Sequence, residues 1–564
     1  MMKLRPVDWF FITALLLLAA GLRFVGLSFG QPDPRYAAST FPNGLLQLEA
    51  PVHPDEFQFV SIPLRMLVTG EFRTGYLVNP TLLTNLNLVT YWLTGAAAGI
   101  DHAPREALEA SARQYAPFHL YVIGRVYSAL GGVLGVAAVY ATTRLLGGRW
   151  AAAAAGLLAA VCFTLVQHSH YTTQTSLSGG LAALCLWASC VALSSTRHRR
   201  NFYLLACGLA GLAFSSRYNA GAVILVPLLI GLLFLYRDRA ARTLRTVLGG
   251  GLVFVALFLV GTPYVLVERR VFIEGFLYGF QHYLGGLDNP TTFDNGLFYV
   301  YRHLIVLGVG VPAAAAALVG LYAAWRSRPP RQKWLQQNSL FLFTGLLLIY
   351  LAAYSLVVLR TNRLGSDQLL VPVIPVVITL AGVGFGWLRE HLPASVRLPA
   401  GVTLLLALVI IPLMPSVQFA RQLAQPDTRQ IMQAWFAQSI PPGTAVHLNG
   451  SYNVPLDEAD YPWTQTYGGQ LISSEELAAL DARYMIVSDA WYHHIFTSAE
   501  VIKPEYLRQL QEYLTSLDQR YTLIASIDRS AWTGSDWGVM HTANYWHNPA
   551  LKVYCLSDAA CPVR

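Results

Sequence analysis

The feature that most constrains this chain is a series of apolar runs, each of a length suited to crossing a bilayer as a helix. A span takes about 20 apolar residues at a rise of about 1.5 Å each. Runs of this kind occupy 8–29, 119–143, 150–167, 177–195, 202–216, 219–236, 246–266, 297–325, 339–359, 368–388 and 398–415, about eleven in all. Charged residues make up only 12% of the chain and hydrophobic ones 54%, whereas a soluble domain is roughly a quarter charged. The pattern predicts a mainly α, polytopic membrane protein. The net charge of +8 does not mark a nucleic-acid partner, because the arginines fall in short clusters between apolar runs.

Those clusters set the topology. Lys3 and Arg5 precede the first run; Arg144 and Arg149 follow the second; Arg197, Arg199 and Arg200 follow the fourth. Arg237, Arg239, Arg242 and Arg245 follow the sixth, Arg326, Arg328, Arg331 and Lys333 the eighth, and Arg389 and Arg397 the tenth. Every second connection is basic, which assigns these to the cytoplasmic side. Segments 30–118, 168–176, 267–296 and 360–367 then face outward, as does everything after 415. The first run is long, lacks a convincing small-x-small cleavage site and is followed by many more, so it reads as a retained helix rather than a signal peptide. The expected protein is multi-pass in the cell membrane, with an extracytoplasmic C-terminal domain.

Two regions break the regular alternation of span and connector. Segment 30–118 is too long for a connector. Its apolar patches, 57–68 and 82–98, read as surface-lying amphipathic helices of a long first outer loop within a transmembrane domain covering 1–415. Residues 416–564 lose the apolar density and show short alternating runs at 445–448, 483–488, 521–525 and 551–555, with helical patterns at 427–438 and 504–517. This predicts a small α/β domain. Cys162, Cys185, Cys190 and Cys207 lie in apolar runs and behave as small hydrophobes. Cys555 and Cys561 lie in the α/β domain, where pairing and free thiols are both open.

No phosphate-binding GxxxxGK[ST], dinucleotide GxGxxG, CxxC pair or HExxH occurs, so nucleotide hydrolysis, dinucleotide chemistry and zinc proteolysis have no support. What needs explaining is polar residues on the outward side. They are His53, Asp55 and Glu56 in the first outer loop; Gln167-His168-Ser169-His170-Tyr171 with Gln174; Arg217-Tyr218-Asn219; Gln281-His282-Tyr283; and Arg360, Asn362 and Arg363 before Asp367-Gln368. Each has an ordinary reading. Asp55 and Glu56 after Pro54 suit the first turn of a helix, Arg217 suits a snorkelling anchor, and interfacial histidines are common. Arg360 and Arg363 depart from the basic-inside pattern. Together, a carboxylate with several Arg and His at one rim suits a phosphate-bearing lipid substrate. Arg binds phosphate oxygens as a fixed fork, and a carboxylate can take a proton from an attacking hydroxyl.

The order of the motifs resembles the C-type (GT-C) membrane glycosyltransferases, most closely the family-39 group of protein O-mannosyltransferases and the aminoarabinose transferase of lipid A. The resemblance rests on His53-Pro54-Asp55-Glu56, Tyr121-x-x-Gly124-Arg125, His170-Tyr171-Thr172-Thr173, Gly211-Leu212-Ala213 leading to Arg217-Tyr218-Asn219, and Gly261-Thr262-Pro263-Tyr264. It continues through Arg363, Leu369-Leu370-Val371-Pro372 and Pro375, then Asp427-Thr428-Arg429, Trp435, Ile440-Pro441-Pro442-Gly443 and Asn548-Pro549.

The resemblance implies an inverting transferase that takes a sugar from a polyprenyl-phosphate donor. Asp55 would act as base, with Glu56 as the neighbouring alternative. Arg217, Arg363 and Arg360 would hold the lipid phosphate, and His53, His170, Tyr171, Gln174, Tyr218, His282 and Tyr283 would line the substrate pocket. The acceptor would be a hydroxyl of a lipid, glycan or protein, and membrane lipids the other partners. No metal ligand is assigned, although the resemblance leaves room for a divalent metal. The chain departs from the pattern at Thr173-Gln174-Thr175, where many relatives carry an acid, and at Arg217, where relatives often carry Lys. An oligosaccharyltransferase on the same scaffold would carry Trp-Trp-Asp, which this chain lacks. A transporter would show inverted repeats and midplane polar residues, and neither is visible.

Overall fold

The structure is a computed structural model that describes residues 5–31, 55–96, 118–283, 303–330, 340–358, 366–450, 453–456, 460–466, 473–480, 482–489, 492, 503–528, 548–557 and 561. Each apolar run forms helix among these residues. The helices are α1 (Pro6–Phe24), α2 (Glu56–Thr69), α3 (Leu82–Thr94), α4 (Phe118–Val161), α5 (Gln174–Ser194), α6 (Arg199–Ser216), α7 (Leu225–Arg237) and α8 (Ala241–Gly261). They continue with α9 (Arg269–Tyr283), α10 (Val311–Arg326), α11 (Leu340–Val358), α12 (Ile374–His391) and α13 (Arg397–Leu423). Among the described residues six stretches are long and apolar enough to cross a membrane, and α10 and α11 are shorter apolar helices. The second and third runs are joined at Gly148, whose φ of 78° breaks the helical path inside α4. The last run was expected to end at 415, but α13 runs on to Leu423 with Pro412 and Pro415 inside it.

Helix α4 is the hub, packing against α1, α5 and α12. Without water to drive helices together, close approach of small residues does so. A Cβ on Gly180 of α5 would run into the Gly131 carbonyl of α4, and one on Gly384 of α12 into the Ala316 carbonyl of α10. The outer faces are apolar and exposed, as at Leu248, Leu252 and Val260 of α8 and Leu398, Leu406 and Met414 of α13, which suits a lipid surround. Some of the basic connections meet. Arg144 lies 3.9 Å from Asp8, and Arg389 lies 4.1 Å over the Trp150 ring. Buried Arg23 donates to the Ala159 and Ala160 carbonyls, a positive group at the carbonyl end of α4.

The C-terminal domain is a five-stranded mixed sheet of order β2-β1-β3-β5-β4, with β1 (Val446–Asn449), β2 (Trp463–Thr466), β3 (Tyr484–Ser488), β4 (Tyr521–Ile527) and β5 (Leu551–Leu556). β1 pairs parallel with β2 and β3, and β5 antiparallel with β3 and β4. Helix α14 (Thr428–Ser439) covers one face through Met432 and Phe436, and α15 (Pro504–Arg520) the other through Leu510, Tyr513 and Leu517. The four predicted strands and both helices are present. β2 was not expected, because Trp-Thr-Gln-Thr is a short edge strand with little apolar alternation. Cys555 and Cys561 are joined by a disulfide, which decides the pairing left open by the sequence. At the domain's entrance Asp427 caps α14 and is held by Arg429, with Nε 2.7 Å from Oδ1.

His447 is buried between β1 and β2, with Nδ1 2.8 Å from Thr464 Oγ1 and Nε2 3.0 Å from Thr466 Oγ1. Hydroxyls satisfy a neutral ring, and burial lowers its pKa to about 4. The unfolded ring binds a proton below about pH 6.5 while the folded ring does not, so stability falls as pH drops from about 6.5 towards 4. The domain should lose on the order of 2 kcal/mol across that window, measured as denaturant midpoints. In His447→Gln the slope in that window should flatten; an unchanged slope would assign the titration to another group.

Candidate active site

The site is built where the 55–96 segment meets the helix ends. Glu56 is fully buried at the start of α2. Its Oε1 lies 2.9 Å from Arg125 Nε of α4, and its Oε2 3.2 Å from Nη2. The backbone N–H of Thr172 donates to Oε1 at 2.7 Å. Arg125 Nη1 donates to the Leu27 and Phe29 carbonyls at 2.7 and 2.8 Å, and its guanidinium lies 3.8 Å over the Phe29 ring. Thr172 in turn donates from its hydroxyl to the Tyr121 carbonyl. One ion pair thus ties the chain after α1, the start of α2, the upper part of α4 and the turn before α5. These contacts suit Glu56 to positioning rather than to the role of alternative base. Asp55, the residue before it, is half-buried at the N-cap of α2, and its side chain makes no capping hydrogen bond.

A chain of amides runs from the same face of α2. Gln58 lies three residues past Asp55, on its side of the helix. Asn79 donates to Gln58 Oε1 at 3.4 Å, and Gln174, the first residue of α5, donates to Asn79 Oδ1 at 2.7 Å. The next residue, Thr175, accepts from Arg217 Nη1 at 2.7 Å, and the same nitrogen lies 3.4 Å from Gln368 Oε1. Arg217 is buried and extended (φ −152°, ψ 126°) between α6 and the turn beginning at Tyr218. The loop carrying Asn79 is fixed by Glu268, whose carboxylate accepts from Thr74 N, Thr74 Oγ1 and Gly75 N. Tyr218 donates to the Leu77 carbonyl at 3.0 Å and packs on Phe272 and Phe276 of α9. Asn219 donates to Tyr354 OH at 2.9 Å.

Of the sequence-predicted residues, Gln174, Arg217 and Tyr218 enter this network, and Asp55 shares the α2 face from which it starts. His170 and Tyr171 do not. His170 is fully buried with its nitrogens 2.8 and 3.0 Å from the Val166 and Val25 carbonyls and its ring against Phe419. Tyr171 is fully buried against Phe29 and His168. Both pack inside the bundle through these contacts. His53, Arg360 and Arg363 lie outside the described residues, as do the side chains of His282 and Tyr283 in the last turn of α9. Among the described residues no three His, Cys, Asp or Glu side chains are grouped to hold a metal ion. The donor set around Gln174 is amide and hydroxyl, which does not match a divalent-cation cage. Sequence reasoning did not assign Arg125, Gln58, Asn79 or Glu268. A lone Arg inside an apolar helix was the available signal for Arg125.

A buried pair that loses one member leaves an uncompensated charge. Glu56→Gln and Arg125→Met should each destabilise by about 3–5 kcal/mol, read as thermal midpoints in detergent. The Glu56→Leu/Arg125→Met double variant should recover part of that loss. Two independent single losses that simply add would show that the pair is not coupled.

The family model described as dolichyl-phosphate-mannose-protein mannosyltransferase matches residues 121–264. No curated protein matches this chain. Among solved structures, ArnT of Cupriavidus metallidurans bound to undecaprenyl phosphate is 15% identical with a TM-score of 0.46, covering 99% of this chain and 100% of its own. The oligosaccharyltransferase of Archaeoglobus fulgidus in complex with Zn and sulfate is 12% identical with a TM-score of 0.45, covering 97% and 88%. AglB of the same organism, with an inhibitory peptide and a dolichol-phosphate, is 12% identical with a TM-score of 0.45, covering 99% and 89%. Likenesses at these scores carry no argument about chemistry. The match that carries weight begins at Tyr121 and ends at Tyr264, on two of the motifs quoted above, and over that segment the resemblance to the C-type membrane glycosyltransferases is borne out.

Proposed function

We propose that this chain is an inverting membrane glycosyltransferase that moves a sugar from a polyprenyl-phosphate donor to an acceptor hydroxyl at the extracytoplasmic face. The observation that carries the proposal is the hydrogen-bonded path from the Asp55 face of α2 through Gln58, Asn79 and Gln174 to Thr175 and Arg217. It brings an acid-bearing helix and a buried guanidinium to one end of the bundle, in a chain whose α4–α8 segment carries the mannosyltransferase family pattern.

Asp55 takes the proton of the acceptor hydroxyl as its oxygen attacks the anomeric carbon. The bond from that carbon to the phosphate oxygen breaks on the opposite side, inverting the centre. The electron pair leaves with the polyprenyl phosphate. Arg217, with Arg363 and Arg360 as the further candidates, stabilises that dianion by charge and a fixed fork of donors. A phosphate is already a good leaving group, so positive charge on it matters more than a general acid. Glu56 keeps α2 in register through Arg125, so that Asp55 stays at the reacting centre. The disulfide between Cys555 and Cys561 supports an oxidising compartment for the C-terminal domain.

Asp55→Asn should lower kcat by roughly 10²–10⁴-fold in proteoliposomes supplied with a polyprenyl-phosphate sugar, with an unchanged thermal midpoint. Arg217→Lys should raise the donor KM, because a point charge replaces a fork. Full turnover in Asp55→Asn removes that residue as the base; an unchanged donor KM in Arg217→Lys takes Arg217 out of the phosphate site.

A further inference from the structure

The amide path ends on atoms that have no hydrogen-bond partner among the described residues. Gln174 Oε1 is buried and has no hydrogen-bond partner, as is Thr173 Oγ1 just before it. Their residues are 5% and 2% exposed. Asn219 Oδ1, two residues past Arg217, is in the same state. Buried polar atoms are rarely left this way without a ligand or water to meet them. All three lie within two residues of Thr175 or Arg217, whose side chains are joined at 2.7 Å.

These groups are aimed, not loose. Gln174 has its nitrogen fixed on Asn79, and Asn79 has its own fixed on Gln58. Asn219 has its nitrogen fixed on Tyr354 OH, which donates to the Leu369 carbonyl. What remains pointing away from each anchor is a neutral oxygen. A ligand group meeting the two amide oxygens must donate hydrogen bonds, while the Thr173 hydroxyl can donate or accept. Arg217 disfavours a cation beside it, and a carboxylate would face lone pairs. A neutral hydroxyl fits, and because it both donates and accepts it fits an amide in either orientation.

We propose that Gln174, Thr173 and Asn219 form the subsite that reads the transferred sugar, and that they select a neutral polyhydroxyl sugar over an amino or acidic one. This rests on the glycosyl-transfer reading of the same end of the bundle. Gln174 touches the sugar; Asn79 and Gln58 are positioning residues that set its amide.

The test uses the full-length protein in nanodiscs with three donors, a polyprenyl phosphate carrying a neutral hexose, an amino sugar or a uronic acid. Wild type should use the neutral donor with kcat/KM at least tenfold above the other two. Gln174→Glu should lower kcat/KM for the neutral donor at least tenfold and raise it for the amino sugar. Asn79→Ala should relax the preference. The thermal midpoint in nanodiscs should stay close to wild type in both variants, which confirms that they fold. Transfer by wild type with the same donor preference in Gln174→Glu and Asn79→Ala overturns the subsite and leaves the glycosyl-transfer reading standing. Equal use of the amino sugar by wild type overturns the subsite as well. Transfer from none of the three donors overturns both.

Discussion

The arrangement at the functional end of this protein depends on one buried ion pair. Arg125 sits inside an apolar helix with no exposure, and Glu56 meets it from the start of α2. Taking two charges out of water is costly, and Coulomb attraction offsets that cost only when the remaining donors and acceptors are filled. Here they are filled by the carbonyls of Leu27 and Phe29 and by the N–H of Thr172. Four separate stretches of chain therefore have to be in register at once. The neighbouring Asp55 inherits that register as the residue before Glu56 at the start of α2.

The same logic of fixed ends recurs along the amide path. Glu268 pins the loop that carries Asn79, Asn79 sets Gln174, and the α5 N-terminus presents Thr175 to Arg217. The side chains of Gln58, Asn79, Gln174 and Thr175 are neutral, which keeps their desolvation cost low. In the proposed reaction Asp55 would take the proton and Arg217 would meet the released phosphate. Small residues complete the scaffold. Gly131 against Gly180 and Ala316 against Gly384 let the helices approach closely enough for short polar side chains to meet.

Much of this was legible in the sequence, and what was not has a physical reason. The apolar runs found their helices because period and length suffice to specify them. The basic connections were grouped by parity, and Asp8 with Arg144 and Trp150 with Arg389 do meet. The predicted strands are real, but β2 was missed because Trp463 followed by three polar residues gives no alternation to read. The split between Asp55 and Glu56 could not be read, since it is decided by an arginine 69 residues downstream. His170 and Tyr171 looked like site residues because they are polar groups in an outward turn. Burial among carbonyls and aromatic rings gives them a packing role that only tertiary structure reveals. Gln58 and Asn79 carried no signal at all, being single amides in segments without a motif.

In the proposed reaction the Glu56–Arg125 pair holds Asp55 opposite a phosphate seated on Arg217. The most direct measurement is a cryo-EM structure of the full-length protein with a non-transferable polyprenyl-phosphate sugar. The account predicts the phosphate within hydrogen-bond distance of Arg217, the sugar against Gln174, and the Asp55 carboxylate on the face of the anomeric carbon away from the phosphate. A phosphate seated elsewhere, or an Asp55 turned from the sugar while the Glu56–Arg125 pair is intact, would contradict it.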